Sequence, residues 1–205
     1  MSYNFSPSMI DFQLEDSGLD VYMYTERLRL EAIKPGHTDD CVELFGSEKV
    51  MEKFAERKPR SKESVVSRIN DSWLKRWKQN DPFSAFSIFR IDDDNYIGNI
   101  IVGYGDKPGQ SEMARLLKHR FWKNGYGTES AGAMIYGFAP EVIQRGYLLE
   151  GKPLSQITAT STIDNIGSWK SLEKVGMHKV DSIKKYDIEK LVYAIDMSTL
   201  SSFQK

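Results

Sequence analysis

The stretch FSAFSIFRIDDDNYIGNIIVGYG, Phe83 to Gly105, limits what this chain can fold into more than any other segment. Two apolar runs rich in β-branched and aromatic residues flank Asp92 to Asn95, side chains that bond their own backbone and tolerate left-handed geometry. The pattern predicts an antiparallel hairpin with an acidic turn. A hairpin this apolar must sit inside a larger sheet and be covered by another layer. Neighbouring segments supply both. TERLRLEAI alternates Leu28, Leu30 and Ala32 against Arg27, Arg29 and Glu31, a strand with one wet face. Thr38 to Phe45 reads as a helix, and Ser61 caps a longer one whose Val65, Ile69, Trp73 and Trp77 recur every fourth residue. Lys75, Arg76 and Lys78 fall on its wet face, and Arg57, Lys58, Arg60 and Lys62 read as a solvated linker between the two helices.

Further on, SEMARLLKH predicts a strand, and a helix starts at Thr128 and runs through Ala131, Ile135 and Phe138 to an interruption at Pro140. Glu141 to Pro153 reads as an irregular insertion. QITATST is a strand, DNIGSWKSLEKVG a helix ending on Gly176, and HKVDSIKKY with KLVYAIDM a closing hairpin. The first 22 residues alternate weakly at Ile10, Phe12 and Leu14, which fits a docked strand, a short helix or a disordered tail. We divide the chain into an arm of unassigned role (1–23), one domain (24–198) and a tail (199–205).

Composition excludes some functions. A formal charge of −1 over 205 residues gives no global pull toward nucleic acid or membrane. The lone Cys41 rules out an internal disulfide and reads as a core thiol. The start of the chain lacks a basic, then apolar, leader, and no run approaches membrane-spanning length, so the expected location is cytoplasmic. His37, His119 and His178 lack metal-ligand spacing, and the aspartates of the turn lack the spread and closing glutamate of a calcium loop. No metal is expected. Trp73, Trp77 and Trp169 read as core aromatics.

The segment RFWKNGYGTES, Arg120 to Ser130, joins the predicted strand to the predicted helix. Such a turn builds an anion site, because its amides point inward and the helix N-terminus adds partial positive charge. Gly125 and Gly127 can take φ values that side chains forbid and leave no Cβ between amide and ligand. Lys118, His119, Arg120 and Lys123 put positive charge nearby. No Gly-Lys-Ser/Thr ending follows, and the third glycine of a dinucleotide fingerprint is absent.

The arrangement resembles the GNAT family of acetyl-CoA-dependent N-acetyltransferases, whose phosphate loop follows Q/R-x-x-G-x-G/A. Trp122, Gly125 and Gly127 take those places here. Tryptophan at the first is common in the branch of ribosomal-protein N-terminal acetyltransferases, where the pattern runs close to E-x-G-Y-W-L and then F-W-G-x-G-Y-A-T-E-A. This chain has Glu112 to Leu117 and then FWKNGYGTES, with TERLRL, IGNI, Asn165, Ser168 and LEKVGM as further matches in family order. The resemblance implies an α/β (α+β) fold: a mixed, mostly antiparallel central sheet of about six or seven strands with a V-shaped splay, flanked by about four helices. It implies that acetyl-CoA, the acetyl donor, lies in the splay. Main-chain groups of Leu116 and Leu117 would meet its amides, the turn Lys123, Asn124, Gly125, Tyr126, Gly127 and Thr128 its pyrophosphate, and Asn165 its pantetheine. Asn165 also reads as a helix N-cap.

The implied reaction moves an acetyl group to a primary amine, a protein N-terminus or a small molecule, by direct attack in a ternary complex. Glu112 is the candidate base; paired with a nearby cation it would instead be structural. The family's tyrosine acid has no counterpart at Ser171, Leu172, Glu173, which leaves Ser168 as the nearest hydroxyl. That gap, and Arg115 where an aromatic is common, keep a noncatalytic acyl-CoA-binding module as an alternative. Tyr186 and Tyr193 fall on predicted strands. Neither nucleic acid nor membrane is an expected partner, and the chain can be a monomer or a homodimer.

Overall fold

The computed structural model describes residues 7–200; the first six residues and the tail beyond Leu200 lie outside the description. Its centre is the expected hairpin, β4 (Ala85–Arg90) and β5 (Tyr96–Tyr104). Around it, a nine-stranded sheet runs in the order β1-β2-β3-β4-β5-β6-β9-β11-β10. The strands are β1 (Met9–Glu15), β2 (Gly18–Tyr24), β3 (Leu28–Ala32), β6 (Gln110–Leu117), β9 (Gln156–Thr162), β10 (His178–Lys185) and β11 (Ile188–Asp196). Every neighbouring pair is antiparallel except β6 with β9.

Two strands beyond the seven marked by sequence come from the arm. β1 and β2 form a hairpin that extends the sheet past β3. Its weak alternation has a physical cause: β1 is an edge strand that buries little, with Phe12 stacked on Phe138 at 6.1 Å between ring centroids and capped by the Arg145 guanidinium. Gly137 permits this docking, since a Cβ there would lie 2.4 Å from Pro7.

Helices cover the sheet. They are α1 (Thr38–Gly46), α2 (Glu48–Met51), α3 (Lys62–Arg68) running through a π segment (Ile69–Leu74) into α4 (Lys75–Lys78), and α5 (Tyr126–Ala133) running through a second π segment (Met134–Phe138) into α6 (Ala139–Gln144). A short hairpin, β7 (Leu148–Leu149) and β8 (Lys152–Pro153), precedes β9, and α7 (Ile166–Lys174) and α8 (Met197–Leu200) complete the elements. The Ser61 hydroxyl accepts from the Ser64 amide, as its capping role requires. Pro140 does not interrupt its helix. The wider π turn just before it absorbs the missing N–H, so the insertion begins as helix and not as irregular chain. Phe86 ties the layers together, edge-on to both Trp77 (5.1 Å) and Phe138 (5.3 Å). Burying a ring of this size contributes about 1.5–3 kcal/mol. Trp73 and Trp77 are core residues, whereas Trp169 is only partly buried.

Candidate functional site

The parallel contact between β6 and β9 is brief. Only Gln110–Glu112 pair with Gln156–Thr158, after which β6 continues to Leu117 and β9 to Thr162 with no ladder between them. The sheet therefore parts in a V. Antiparallel ladders alternate the direction of backbone groups, and Lys118 donates to the Ile97 carbonyl, so Leu116 faces Asn99 of β5 while Arg115 and Leu117 turn theirs into the opening; Met113 also turns from β5, but its N–H is taken by Thr158 where the β9 ladder ends. This corrects the expectation for Leu116, whose main-chain groups are spent in the ladder. Leu117 does face the gap, with its carbonyl accepting the Trp122 indole N–H at 2.7 Å.

Beyond β6 the chain turns into α5 with Lys123 at φ 64° and Gly125 at φ 83°. Left-handed residues in a tight turn curl successive amides to one side. Among the described residues, the N–H groups of Lys123, Asn124, Gly125, Tyr126 and Gly127 reach no protein acceptor, while Thr128 donates to the Gly125 carbonyl. Gly127, inside α5, serves differently from the expectation: a Cβ there would crowd Arg115 Nε at 3.1 Å. The turn is held from outside. Arg27 donates to the Asn124 carbonyl at 3.0 Å, which turns the same peptide's N–H the other way. Glu129 in turn holds Arg27 through its side chain (2.6 Å) and backbone amide (3.0 Å), and accepts from the Thr25 hydroxyl at 2.6 Å. The TERL and GTE motifs are thus two halves of one brace.

The charges near the turn differ from those expected. Lys118 is committed to Asp40 (3.1 Å) and Glu43 (2.7 Å) of α1. The cation that does lie under the turn is Arg115. Its Nη2 donates to the Ser168 carbonyl at 3.3 Å and to the Ser171 hydroxyl, bridging β6 to α7 across the opening. Its Nη1 is sealed from solvent with no partner. Burial, with no neighbouring charge contributing, pushes this guanidinium down to about 10. A cation this far buried beside the positive end of a helix is costly without an anion. Nothing in the residue spacing marks Arg115, Arg27 or Glu129 as partners; the wet face of TERLRL was the available signal for Arg27.

A cavity of about 330 Å³ opens along the parted strands. Glu112, Asn165 and Ser168 all line it. Among the described residues Glu112 makes no ion pair or hydrogen bond, so it is not the neutralised strand-edge carboxylate that was the alternative reading. Asn165 stands at the N-cap of α7, but its side chain makes no capping bond; its carbonyl accepts from the Ser168 amide at 2.9 Å. Tyr193 is buried and donates to Glu173 at 3.1 Å, whereas Tyr186 sits at the β10–β11 turn with φ 57° and lines the cavity. Cys41 is fully buried against Asn99, and burial pushes its thiol up to about 11. Among the described residues, no three His, Cys, Asp or Glu side chains gather to hold a metal, and no helix is long and apolar enough to cross a membrane.

Known proteins show the same architecture. Residues 27–178 match the acetyltransferase (GNAT) domain family. A GNAT-family acetyltransferase from Bacillus anthracis superposes with a TM-score of 0.68 at 18% identity, covering 86% of this chain and 99% of that one. RimL, a ribosomal L7/L12 α-N-protein acetyltransferase, gives 0.65 at 14% identity over 92% and 95%. AAC(6')-Ib in complex with ribostamycin and coenzyme A gives 0.64 at 14% identity over 88% and 99%. No curated protein matches the sequence significantly.

Proposed function

The chain belongs to the GNAT acetyltransferase family, and from that premise we propose that it binds acetyl-CoA in the V between β6 and β9 and transfers the acetyl group to a primary amine. The observation that carries this reading is the run of five consecutive free amides, Lys123 to Gly127, beside the Arg115 guanidinium, whose Nη1 has no partner among the described residues. The residues fit a diphosphate. Amides and a guanidinium converge, no Cβ intervenes at Gly125 or Gly127, and no carboxylate competes for Arg115. Charge-assisted bonds of about 1.5–3 kcal/mol each are enough to hold such a group after ordering costs. The seam-facing Met113 carbonyl and Leu117 amide are available to the pantetheine amides, and Asn165 lines the same cavity.

The donor supplies a thioester, and the protein has nothing covalent to add. Glu112, unpaired and facing the cavity, accepts a proton from the incoming amine directly or through a water. For an α-amino group with pKa near 7.7–8.0 this is a small demand; for a lysine near 10.4 it is about 4.6 kcal/mol at pH 7. Ser168 offers the nearest hydroxyl for returning a proton to sulfur, with its own carbonyl fixed by Arg115.

The decisive experiment measures thermal stabilisation by acetyl-CoA and amine-dependent release of free thiol. Gly125→Asp should abolish the stabilisation while leaving the fold intact, because its carboxylate sits against the phosphates. Glu112→Gln should bind acetyl-CoA normally and lose thiol release. Undiminished binding in the first variant would dismiss the cradle; undiminished turnover in the second would dismiss the base.

A further inference from the structure

The acceptor half of the cavity carries a charge pattern that the transfer reaction itself does not call for. Seven cationic side chains line the cavity, against one carboxylate, Glu112. Several are already engaged. Arg76 donates to the Phe83 carbonyl and stacks on Tyr104, Lys53 donates to the Asp164 carbonyl, and Arg60 leans on Glu56 at 3.5 Å. Arg115 belongs to the donor end. Arg68, Lys185 and Lys190 remain.

None of these three has a carboxylate within ion-pair distance among the described residues. Arg68 lies over the Trp73 ring at 5.6 Å, and burial first, then the adjacent Arg60, lowers its pKa. Lys190 is 5% exposed, and among the described residues its ammonium meets the Ala55 carbonyl, at 3.3 Å, and the face of Tyr186. Burial first, then Lys185, lowers its pKa, while Glu112 opposes the shift. Lys190 is thus an electrostatic neighbour of the candidate base. Arg68 and Lys185 are exposed to solvent and Lys190 is buried; a buried cation without a counterion costs stability, and a cavity that retains it beside two further cations complements an anionic guest.

That guest is not the donor's diphosphate. From Glu112 to Leu117 the strand advances five residue steps, about 17 Å at roughly 3.3–3.4 Å each, and the phosphate turn lies further on.

We propose that the acceptor is an anionic amine: a small primary amine bearing a carboxylate or phosphate, or a peptide N-terminus followed by acidic residues, with the negative group seated on Arg68 and Lys190 and the nitrogen facing Glu112. The inference rests on the N-acetyltransferase reading and adds the class of acceptor to it. The arrangement also assists chemistry. Cations near the nitrogen favour its neutral form, which is the nucleophile, while the acceptor's own anion compensates them. A polycationic amine would meet repulsion.

The test uses pairs that differ only in charge: O-phosphoethanolamine against ethanolamine, glucosamine 6-phosphate against glucosamine, and Ser-Asp-Glu against Ser-Asn-Gln peptides. Thiol release with acetyl-CoA gives kcat/KM for each. At least one pair should favour the charged member by tenfold or more, and which pair does so distinguishes metabolite from peptide. Arg68→Gln and Lys190→Gln should each cut that preference to under threefold, and Arg68→Lys should restore part of it. Stabilisation by acetyl-CoA should persist in both glutamine variants, which also verifies their fold. Equal or better turnover of neutral amines would overturn the anionic acceptor and leave the acetyltransferase standing. A preference unmoved by either variant, or weakened acetyl-CoA binding in them, would overturn the assignment of the cluster. No turnover of any amine would remove the enzymatic reading and this proposal with it.

Discussion

Replacing Arg115 by methionine should make the free protein more stable and its complex with acetyl-CoA weaker. Methionine keeps most of the apolar stem and removes the charge. Burial pulls the guanidinium well below its ordinary value, to about 10, which corresponds to about 3 kcal/mol of unfavourable desolvation, an upper figure because the residue is not wholly enclosed. Lost bonds to the Ser168 carbonyl and the Ser171 hydroxyl offset part of this, although Ser171 still donates to the same carbonyl at 2.5 Å. A net gain of about 1–2 kcal/mol is expected, raising the urea midpoint by roughly 0.5–1 M for an m-value of about 2 kcal/mol/M. The sign can be checked with pH. A cation whose folded pKa is depressed destabilises the native state below that pKa, and the penalty fades as pH rises from about 10 toward the ordinary guanidinium value. The advantage of the methionine variant should therefore shrink over that window. With ligand the order reverses. Losing one charge-assisted phosphate contact weakens binding by about 10- to 100-fold. At a concentration 100 times the wild-type Kd, stabilisation of about 2.7 kcal/mol would fall to about 0.4–1.4 kcal/mol. Urea titrations with and without acetyl-CoA measure both effects. A variant less stable by 1 kcal/mol or more, with undiminished ligand stabilisation, would show that Arg115 is a strut between β6 and α7 and not a grip on phosphate.

Three further outcomes follow from the geometry. Glu129→Gln releases Arg27 and hence the Asn124 carbonyl, and should lower acetyl-CoA affinity about tenfold while costing about 1 kcal/mol of stability, read by titration calorimetry and urea melts. Gly98→Ala places a Cβ 2.1 Å from the Leu116 carbonyl oxygen where β5 crosses β6, and should destabilise by at least about 3 kcal/mol; an unshifted melting temperature would refute that close approach. Cys41, fully buried and with its thiol near 11, should resist a thiol reagent at pH 8 in native protein and react at once in denaturant, so rapid native labelling would contradict its packing.

The sequence made the sheet legible where each strand carried its own signal. The β4–β5 hairpin, the alternation of TERLRL and the glycine turn are local patterns, and local patterns survive folding because they depend on residues within one turn or strand. The failures share one cause, dependence on distant residues. Lys118 stands beside the phosphate turn in sequence, yet α1 presents Asp40 and Glu43 and takes its charge away. Pro140 breaks helices by rule, yet the π turn before it leaves no amide to be missed. Arg115 looked like a lost aromatic, and its meaning depends on α5 above it and α7 beside it, elements that approach only when the V has formed.

The acceptor pocket follows the same logic. Arg68 comes from α3, Lys190 from the last strand and Glu112 from β6, so no spacing in the chain announces that they share a cavity. The turn proposed to hold the donor's phosphates can be read as a motif because its free amides, Lys123 to Gly127, are consecutive in the chain. The acceptor site is assembled from side chains on separate elements, each free to change without disturbing the backbone beneath. A family built this way keeps a readable donor half and an unreadable acceptor half. Evidence for the acceptor must therefore come from the charges that folding has gathered, and here those charges are positive.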